Sequence, residues 1–557
     1  MQPVWLSHYP AGVPAQVDVH RYTSLVDLFE QSCRRFAARP AFTSMGASLS
    51  YAEADRLARD FAAYLQGLGL EPGARIAIML PNLLQYPVAL FGALRAGLVV
   101  VNVNPLYTAR ELKHQLADAG AAAIVVLENF AQVLEAVIGE TAVRHVVTTQ
   151  IGDLLPQPKR CLVNFAAKYV KRMVPPWHLP GASDFRHALK VGAGRTAREV
   201  PLGPDDLACL QYTGGTTGVA RGAMLTHGNL VANVEQTSAW IGIKFKEGAE
   251  VIVTPLPLYH IFALTANLLT FLRWGANNVL IANPRDVPAF IKVLRKTRFT
   301  AITGVTTLYR LLLDAPGFGQ VKQANGDALK VAVAGGMALH PAVAERWQAL
   351  MGVPLIEGYG LTEAAPIVCA NPMDIRGFTG SIGMPLPSTE VMLRGEDGKA
   401  VAVGEPGELF VRGPQVMRGY WNAVAESARV LDAAGWLATG DVIRMDARGC
   451  FSFVDRKKDV IVVSGFKVWP GEVEEVLLAL PGIAEAGVAG MPDEHSGEAV
   501  WAWVVRSDPV LIEQQIINAC HVQLARYKTP HKVIFCDALP KSSIGKILRR
   551  KLKEHAR

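Results

Sequence analysis

Short apolar runs alternate with helical patterns through the first two thirds of the chain, and this alternation constrains the fold most. Residues 57–68 carry apolar side chains at helical spacing, and a short apolar run follows at 75–80. The same order recurs, with further strand patterns at 98–102, 124–127, 251–254, 301–303 and 331–334. Short buried strands separated by helices predict βαβ units with mostly parallel sheets. We therefore expect an α/β fold with two such blocks, at about 1–200 and 201–380.

The alternation of strand and helix patterns ends after residue 380. Short strand patterns separated by Gly- and Pro-rich turns predict a small antiparallel β unit at about 381–455. A charged run at 455–459 then precedes about a hundred residues with strand and helix patterns of their own. Because 557 residues are too many for one compact core, we predict a large N-terminal domain at 1–455. A small, mobile α+β domain is expected at 456–557.

Composition excludes several classes of protein. Half of the residues are hydrophobic and 19% are charged, which is typical of a globular chain rather than a disordered one. The formal net charge of +7 suits anionic ligands or an anionic membrane surface. No run of Lys and Arg with interleaved aromatics is present, so we expect no nucleic-acid partner.

The compartment follows from cysteine usage and from the absence of export signals. The seven cysteines are scattered and form no CxxC motif, which fits a reducing cytosol better than a disulfide scaffold or structural zinc. The first residues have no basic region followed by an apolar stretch, so we predict no signal peptide. The apolar segment 261–272 is about half as long as a membrane-spanning helix and predicts a buried helix. We expect a cytoplasmic protein without a transmembrane segment.

One segment is amphipathic and basic. Apolar residues recur at three- and four-residue spacing between Leu162 and Trp177, and Lys168, Lys171 and Arg172 lie on the other side. A basic amphipathic helix with aromatic residues is typical of peripheral contact with the inner face of a membrane. An ordinary surface helix that packs its apolar stripe on the sheet explains the pattern equally well.

A glycine- and threonine-rich loop is the strongest local motif. Its glycines allow tight turns that present backbone N–H groups to an anion, its threonines add hydroxyl donors, and Arg221 adds a cation. A flexible turn is the alternative, and the loop alone does not decide between them. The kinase-type pattern G-x-x-x-x-G-K-[ST] is absent. The loop consists of Tyr212, Thr213, Gly214, Gly215, Thr216, Thr217 and Gly218.

Three further clusters follow in order along the chain. They read EGYGLTE at 357–363, WLATGD at 436–441 and LPKSSIGK at 539–546. Together with the Gly-Thr loop they closely resemble the signatures of the adenylate-forming (AMP-binding) superfamily. Stretches such as PLYHIFALTAN and VDRKKDVIVVSGFKVWP resemble the bacterial long-chain fatty acyl-CoA synthetases within it. The resemblance covers essentially the whole chain.

This resemblance implies a reaction that uses ATP, Mg²⁺ and coenzyme A. The carboxylate of a fatty acid attacks the α-phosphate of ATP to give acyl-AMP and pyrophosphate, and the CoA thiol then displaces AMP. Because an anion approaches a polyanion in the first step, charge neutralisation and positioning should dominate catalysis. The resemblance assigns nucleotide contacts to the Gly-Thr loop and to Arg221, Gly336, Tyr359, Gly360, Thr362, Asp441 and Arg456.

Narrower roles follow from the same resemblance. Glu363 and Thr217 would bind Mg²⁺, Thr362 would contact the α-phosphate, and the ring of Tyr359 would stack on adenine. Asp441 would accept hydrogen bonds from the ribose hydroxyls, and Arg456 would reach the ribose and phosphates. Each residue taken singly has an ordinary structural explanation, such as a helix cap, a turn or a solvated charge. Their order within one chain favours the functional interpretation.

Lys546 matches the adenylation lysine of the family, whereas a basic tail is otherwise usually a solvated face. Its ammonium would bridge the attacking carboxylate and the α-phosphate, and it would have to leave before CoA enters. Lys458 occupies the hinge position of the family. After rotation of the small domain, the CoA channel would be completed by Ser464, Gly465, Phe466 and Lys467.

The family resemblance suggests a place for His260 at the junction of the acyl and CoA channels, although a lone histidine among apolar residues is more often a core residue. Arg221 departs from the family, which usually has lysine there. Because a guanidinium is not a compact point charge, ATP affinity is where we expect this change to show. A deep apolar tunnel would favour long chains by about 0.8 kcal/mol per buried methylene. Residues assigned to that pocket are Ile261, Phe262, Leu264, Gly304, Val305 and Thr306.

Four alternatives stay open at this stage. The acid could be medium-chain or aromatic, the acyl acceptor could be a carrier protein instead of CoA, or the chain could bind nucleotide or fatty acid without catalysis. The absence of a carrier domain favours CoA. The oligomeric state is also open, and a homodimer is one option.

Overall fold

The computed structural model describes residues 3–214, 220–493, 495–542 and 545–554. Within them the chain forms four β-sheets flanked by helices. Three sheets lie in the first 456 residues, and a fourth lies in the C-terminal part that follows. This is the mixed α/β architecture predicted from the sequence. We refer to this C-terminal part, from residue 457 onward, as the lid.

A seven-stranded sheet is parallel except for its last pair of strands, which is antiparallel and flanks the Gly-Thr loop. Along the chain its apolar strands alternate with helices. Parallel neighbouring strands require such crossover connections. In spatial order its strands are Ser183–Asp184, His145–Thr149, Ala121–Leu127, Arg75–Met79, Val99–Asn102, Leu207–Gly214 and Ala220–Thr226.

A nine-stranded sheet is parallel in its centre and antiparallel at both ends. The carboxyl end of one of its strands, Leu355–Gly360, carries the second motif, EGYGLTE. In spatial order its strands are Met384–Pro385, Ile367–Ala370, Leu355–Gly360, Val331–Gly335, Ala301–Gly304, Val251–Thr254, Asn277–Leu280, Pro40–Ser44 and Ala47–Ser50.

The two large sheets do not follow the division near residue 200. Strands Pro40–Ser44 and Ala47–Ser50 join the nine-stranded sheet, and the pair Leu207–Gly214 and Ala220–Thr226 joins the seven-stranded one. The expected blocks at 1–200 and 201–380 are therefore wrong as units of the fold. Local patterns predict that a strand exists, but the choice of sheet depends on pairing between distant segments.

The smaller sheets are close to expectation. A four-stranded antiparallel sheet is formed by Glu390–Arg394, Pro406–Arg412, Leu437–Met445 and Phe451–Arg456. The lid holds a five-stranded sheet of Phe466–Val468, Ile461–Val463, Gly497–Arg506, Ile483–Asp493 and Lys532–Phe535.

Helix boundaries follow capping chemistry. Ser50 and Glu53 form a capping box at the start of helix Tyr51–Gln66, and Thr226 and Asn229 do the same for His227–Ile241. The other α-helices outside the lid are Leu25–Arg35, Gln85–Arg95, Ala109–Ala119, Ala131–Glu135, Lys159–Phe165, Phe185–Ala193, Thr270–Arg273, Val287–Lys296, Thr306–Asp314, Gly319–Asn325, Pro341–Met351 and Val424–Val430. Those of the lid are Pro470–Ala479, Glu513–Gln523 and Arg549–Glu554.

The apolar segment 261–272 is a buried helix, as predicted. Its middle part, Ala263–Leu269, has π-helical hydrogen bonding and continues into Thr270–Arg273. Every residue of the π-helical part is buried. None of the helices in the described part of the chain is both long and apolar enough to cross a bilayer.

The basic amphipathic segment is shorter than expected. The α-helix Lys159–Phe165 continues as π-helix Ala166–Val170 and then stops, so the extension of the helix to Trp177 is wrong. The chain leaves helical geometry at Arg172, where φ is +49°. Pro175 and Pro176 further disfavour helix up to Trp177, because proline lacks an N–H and restricts the residue before it. The apolar stripe does not pack on the sheet. Leu162, Phe165 and Tyr169 are 66%, 59% and 62% exposed.

Candidate active site

One large cavity of about 3070 Å³ lies where the two large sheets, the four-stranded sheet and the lid meet. Typical small-molecule pockets measure about 300–1,000 Å³, so this cavity has room for more than one substrate. Its wall includes the motif residues Thr362, Asp441 and Lys546, although they are up to 184 positions apart in the sequence. Sequence motifs that are distant in the chain thus meet in space.

The strands around the Gly-Thr loop bring two of its predicted residues to the cavity. Thr213 pairs with Arg221 across the antiparallel strands, and both line the cavity wall. Tyr212 also borders the cavity, but its hydroxyl donates a 2.5 Å hydrogen bond to Asp118. Gly214 ends its strand. The predicted ligand-binding residues Gly215, Thr216, Thr217 and Gly218 lie outside the described residues.

Arg221 is held near the cavity by neighbours on a later segment. Its Nη2 lies 3.8 Å from Oε1 of Glu426, with the side chains 22% and 30% exposed. Its guanidinium carbon lies 5.9 Å from the ring centroid of Tyr420. The cation that replaces the usual lysine therefore has an anionic and an aromatic neighbour.

The second motif lies at the carboxyl end of strand Leu355–Gly360, where it turns into the 3₁₀ segment Thr362–Ala364. Gly360 has no room for a side chain, since a Cβ there would lie 2.1 Å from the carbonyl oxygen of Pro366. Thr362 and Glu363 both face the cavity. Oε1 of Glu363 accepts a 2.7 Å hydrogen bond from the hydroxyl of Tyr420. Burial and the adjacent Glu363 carboxylate raise the pKa of Tyr420, so this hydroxyl stays a donor.

Asp441 is buried and lies at the centre of a polar cluster. It accepts a 2.6 Å hydrogen bond from the hydroxyl of Tyr359, and Nε of Arg456 lies 3.4 Å from its other oxygen. Asp441 and Arg456 are direct partners across the antiparallel strands that carry them. The hydroxyl of Tyr359 is thus engaged by Asp441, while its ring borders the cavity.

Lys546 enters the cavity from a tight hairpin of the lid. The N–H of Lys546 donates to Oγ of Ser542, and its carbonyl accepts from the Ser542 N–H. At Gly545, with φ +83°, a Cβ would lie 2.8 Å from Oγ1 of Thr307, so glycine permits this close contact between lid and core. Burial, reinforced by the Arg456 charge and opposed by Asp441, lowers the pKa of Lys546 to about 8.

The expected hinge and CoA-channel residues lie in different places. Lys458 is in the 3₁₀ turn Lys457–Asp459 at the cavity wall, and burial, together with Arg456, lowers its pKa. Phe466 stacks on Tyr527 with centroids 4.9 Å apart, and Lys467 forms an ion pair with Glu396. The loop of Ser464, Gly465, Phe466 and Lys467 is not part of the cavity wall in this orientation of the lid.

His260 borders the cavity and is neutral at physiological pH. Burial lowers its pKa to about 4. Its Nδ1 accepts a 3.3 Å hydrogen bond from the backbone N–H of Phe262, so the ring proton resides on Nε2. His260 can therefore donate a hydrogen bond from Nε2.

The predicted acyl pocket is only partly on the cavity wall. Ile261, Phe262 and Thr306 line it, whereas Leu264, Gly304 and Val305 do not. Leu264 is buried in the core, and the ring of Tyr309 occupies the space beside Gly304. Val305 lies under the Lys546 hairpin, 3.8 Å from a Cβ placed on Gly545.

Sequence reasoning missed most of the apolar wall. The same cavity extends between helix His227–Ile241, the π-helix and the nine-stranded sheet. In the sequence these residues follow the ordinary pattern of buried helices and strands, so nothing in it distinguishes a tunnel from a core. The apolar arm, as we call this extension, is lined by Trp240, Ile241, Phe245, Ile252, Ala266, Phe271, Ala301 and Val331.

Glu357 also lies at the cavity and was not singled out from the sequence. It lies on strand Leu355–Gly360 at the cavity wall, and burial raises its pKa to about 7. Its carboxyl accepts a 3.1 Å hydrogen bond from the backbone N–H of Leu339. This bond ties the strand to the loop that carries Gly336, where φ is +78°.

The donor set of the cavity suits a metal that arrives with its phosphates. Among the described residues, no group of three or more His, Cys, Asp or Glu side chains is arranged to hold a metal ion. Mg²⁺ is commonly bound by one or two carboxylates together with substrate phosphates and water. Glu363, which faces the cavity and has one oxygen oriented by Tyr420, fits that requirement.

Comparison with known proteins agrees with this arrangement. Residues 29–421 match the AMP-binding enzyme family, and residues 472–546 match the AMP-binding enzyme C-terminal domain. A long-chain-fatty-acid–CoA ligase of Escherichia coli O157:H7 is 54% identical over 558 residues, covering 100% of this chain and 99% of the relative. One from Bacillus subtilis (strain 168) is 37% identical, covering 99% of this chain and 98% of the relative.

Solved structures share the fold over nearly the full length. ATP-bound MatB from Rhodopseudomonas palustris matches with a TM-score of 0.81 and 28% identity, covering 95% of this chain and 98% of that one. An anthranilate CoA ligase, AuaEII, in complex with anthranoyl-AMP matches with a TM-score of 0.84 and 24% identity, covering 97% and 99%. At that identity the second likeness concerns the fold alone.

Proposed function

The chain belongs to the AMP-binding enzyme family, and on that premise we propose that it is a long-chain-fatty-acid–CoA ligase. It converts a fatty acid and ATP into acyl-AMP and pyrophosphate, and then transfers the acyl group to CoA with release of AMP. The observation that carries the proposal is the shared cavity. Lys546, Asp441 and Glu363 meet there beside an apolar arm suited to a hydrocarbon chain.

In the first step the fatty acid carboxylate attacks the α-phosphate of ATP. The Lys546 ammonium, held in the cavity by its hairpin, neutralises charge between the two anions, and Thr362 contacts the same phosphate. Asp441, oriented by Tyr359, accepts hydrogen bonds from the ribose, and Arg456 lies next to it. Glu363 would hold Mg²⁺ together with the phosphates, and the bound metal would supply Lewis-acid neutralisation of charge on the pyrophosphate leaving group.

In the second step the CoA thiol attacks the acyl carbonyl. The present orientation places Lys546 in the cavity and the loop of residues 464–467 outside it, which suits adenylation. Rotation about Lys458 withdraws Lys546 and brings Ser464, Gly465, Phe466 and Lys467 to the CoA channel. His260, neutral and with its proton on Nε2, hydrogen-bonds the acyl oxygen at the junction of the channels.

The apolar arm supports a long-chain acid over an aromatic or medium-chain one. Each methylene that it buries contributes about 0.8 kcal/mol to binding. We expect kcat/KM for thioester formation to rise with chain length across a series from short to very long saturated acids. A maximum at short acids, or preference for an aromatic acid, would replace the long-chain assignment.

The acceptor is tested separately. With palmitate, ATP and Mg²⁺, AMP release should depend on free CoA, and a phosphopantetheinyl carrier protein should not substitute for it. If only the carrier supports turnover, the protein is an acyl-AMP ligase. A non-catalytic binding protein would show no fatty-acid-dependent exchange of pyrophosphate into ATP.

We also propose peripheral contact with an anionic membrane through the segment of residues 159–173. Leu162, Phe165 and Tyr169 are exposed, and Lys168 and Lys171 beside them are exposed cations. Apolar side chains insert at the headgroup boundary while Lys residues attract anionic lipid. Wild-type protein should cosediment with vesicles containing phosphatidylglycerol more than with pure phosphatidylcholine.

Substitution of both Phe165 and Tyr169 by Ser should remove that binding while leaving thioester formation from dispersed fatty acid intact. Equal cosedimentation of this variant would contradict the assignment of the surface. Whether the protein forms a homodimer is decided by light scattering at several concentrations.

A further inference from the structure

Tyr420 belongs to none of the motifs identified in the sequence. It nevertheless lies between Glu363, expected to bind Mg²⁺, and Arg221, expected to bind ATP. It follows the four-stranded sheet's second strand and forms an isolated antiparallel bridge with Ala223. Its N–H donates a 2.8 Å hydrogen bond to Oγ of Ser427. The bridge holds its backbone against strand Ala220–Thr226, and the bond to Ser427 ties it to helix Val424–Val430. Its side chain borders the cavity.

The two ends of its side chain contact different groups. The hydroxyl donates a 2.7 Å hydrogen bond to Oε1 of Glu363, from the EGYGLTE motif. The ring centroid lies 5.9 Å from the guanidinium carbon of Arg221, from the strand after the Gly-Thr loop. A single aromatic side chain thus hydrogen-bonds a carboxylate from one motif and lies beside a cation next to another.

Each contact restricts the group that it touches. A lone carboxylate rotates about its last bonds, whereas a hydrogen bond to one oxygen orients it and leaves the other oxygen for a ligand. A guanidinium near an aromatic face is attracted to the ring, and Glu426, 3.8 Å from Arg221, restrains it further. The planar guanidinium needs such orientation more than a compact ammonium does.

We propose that Tyr420 is a positioning residue that holds the Glu363 carboxylate for the metal and the Arg221 guanidinium for the phosphates in one arrangement. The proposal rests on the proposed function for the identity of the ligands. Tyr420 acts through Glu363 and Arg221, so we expect its loss to change the affinity for metal and nucleotide rather than the chemical steps of adenylation.

The test separates the hydroxyl from the ring. Tyr420→Phe removes only the hydrogen bond to Glu363, and Tyr420→Leu removes the ring as well. Tyr64→Phe is the matched control, since Tyr64 lies on helix Tyr51–Gln66 and does not border the cavity. Binding of Mn²⁺ to the enzyme with ATP is followed by electron paramagnetic resonance, and binding of ATP in EDTA by calorimetry.

Tyr420→Phe should weaken Mn²⁺ binding by roughly ten- to a hundredfold, the usual range for loss of a group that orients a ligand. ATP binding in EDTA should be unchanged for Tyr420→Phe and weakened by roughly two- to fivefold for Tyr420→Leu, because only the latter loses the ring beside Arg221. The Tyr64→Phe control should match wild type in both assays. Unchanged Mn²⁺ affinity in Tyr420→Phe overturns the proposal.

A double variant distinguishes positioning from general disruption. If Tyr420 acts through Glu363, adding Tyr420→Phe to Glu363→Gln should not weaken Mn²⁺ binding further. A full additional loss overturns the proposal, and the same cycle applies if Tyr420→Leu folds poorly. Both binding assays need no fatty acid or CoA, so they remain informative even if thioester formation by the wild-type protein fails.

Discussion

Asp455 connects the core to the lid, and its replacement by Asn offers the sharpest test of lid rotation. It is the second-last residue of strand Phe451–Arg456, just before the expected hinge, and its side chain is only 1% exposed. One oxygen accepts a 2.6 Å hydrogen bond from the N–H of Gly471, and the other accepts a 2.9 Å bond from Nη1 of Arg549. Both donors belong to the lid.

The network continues within the lid. Arg549 also contacts Asp459 at 3.2 Å and Glu474 at 2.8 Å, and these carboxylates raise the pKa of Arg549 despite its burial. Arg549 therefore keeps its charge, and only its bond to Asp455 spans the hinge residue Lys458. We expect rotation of the lid to break both bonds to Asp455.

The size of the effect follows from these bonds. A hydrogen bond to a charged group contributes about 1.5–3 kcal/mol. Asn has the shape of Asp, but it keeps one acceptor oxygen and directs its NH₂ toward a donor, so one charge-assisted bond is lost. A loss of about 2–3 kcal/mol, at about 1.4 kcal/mol per factor of ten, reduces the adenylation orientation by roughly 30- to 150-fold relative to the rotated one.

The assay compares the two half-reactions on one preparation. Fatty-acid-dependent pyrophosphate exchange reports adenylation, and thioester formation from supplied acyl-AMP reports the second step. For Asp455→Asn the ratio of the first rate to the second should fall by at least tenfold. Asp446→Asn is the matched control, because Asp446 accepts bonds from Arg448 and Cys450 within its own turn. An unchanged ratio, with normal thermal stability, would refute the assigned role of these bonds.

Four further predictions follow from the same geometry. Lys546→Ala should reduce pyrophosphate exchange by two orders of magnitude or more and spare thioester formation from supplied acyl-AMP, whereas equal loss of both would contradict its assignment. Because the pKa of Lys546 is lowered to about 8 and the ammonium is the active form, kcat/KM for exchange should decline as pH rises through about 8, and a flat profile to pH 10 would argue against it. Lys458→Pro should slow thioester formation more than adenylation, since proline restricts φ at the hinge, and unchanged thioesterification would remove the hinge assignment. Ala266→Leu should narrow the apolar arm. For acids that lose four buried methylenes, the cost should be about 3 kcal/mol, or roughly a hundredfold in kcat/KM, whereas short acids should be unaffected. A uniform loss of kcat/KM would indicate a disturbed fold instead.

Much of the fold was predictable because its signals are local. The strands at 75–80, 251–254 and 331–334 and the buried helix at 261–272 lie where their apolar patterns predict. The amphipathic segment also carried a local signal against helix as far as Trp177, namely Pro175 and Pro176, which the apolar spacing alone does not reveal. Its exposure, by contrast, depends on what the rest of the chain leaves uncovered.

The sequence by itself determined the motifs, their order and the reaction that they resemble, since each motif is a short run whose residue types are dictated by phosphate, ribose or metal chemistry. Only the tertiary structure decided which partners these residues have. Tyr420 reaches Glu363 across 57 positions, and Arg549 reaches Asp455 across 94. The apolar arm likewise exists only where a helix and a sheet leave a space between them. Such contacts depend on how segments that are distant in the sequence pack together. A local residue pattern does not show which distant segment lies beside it.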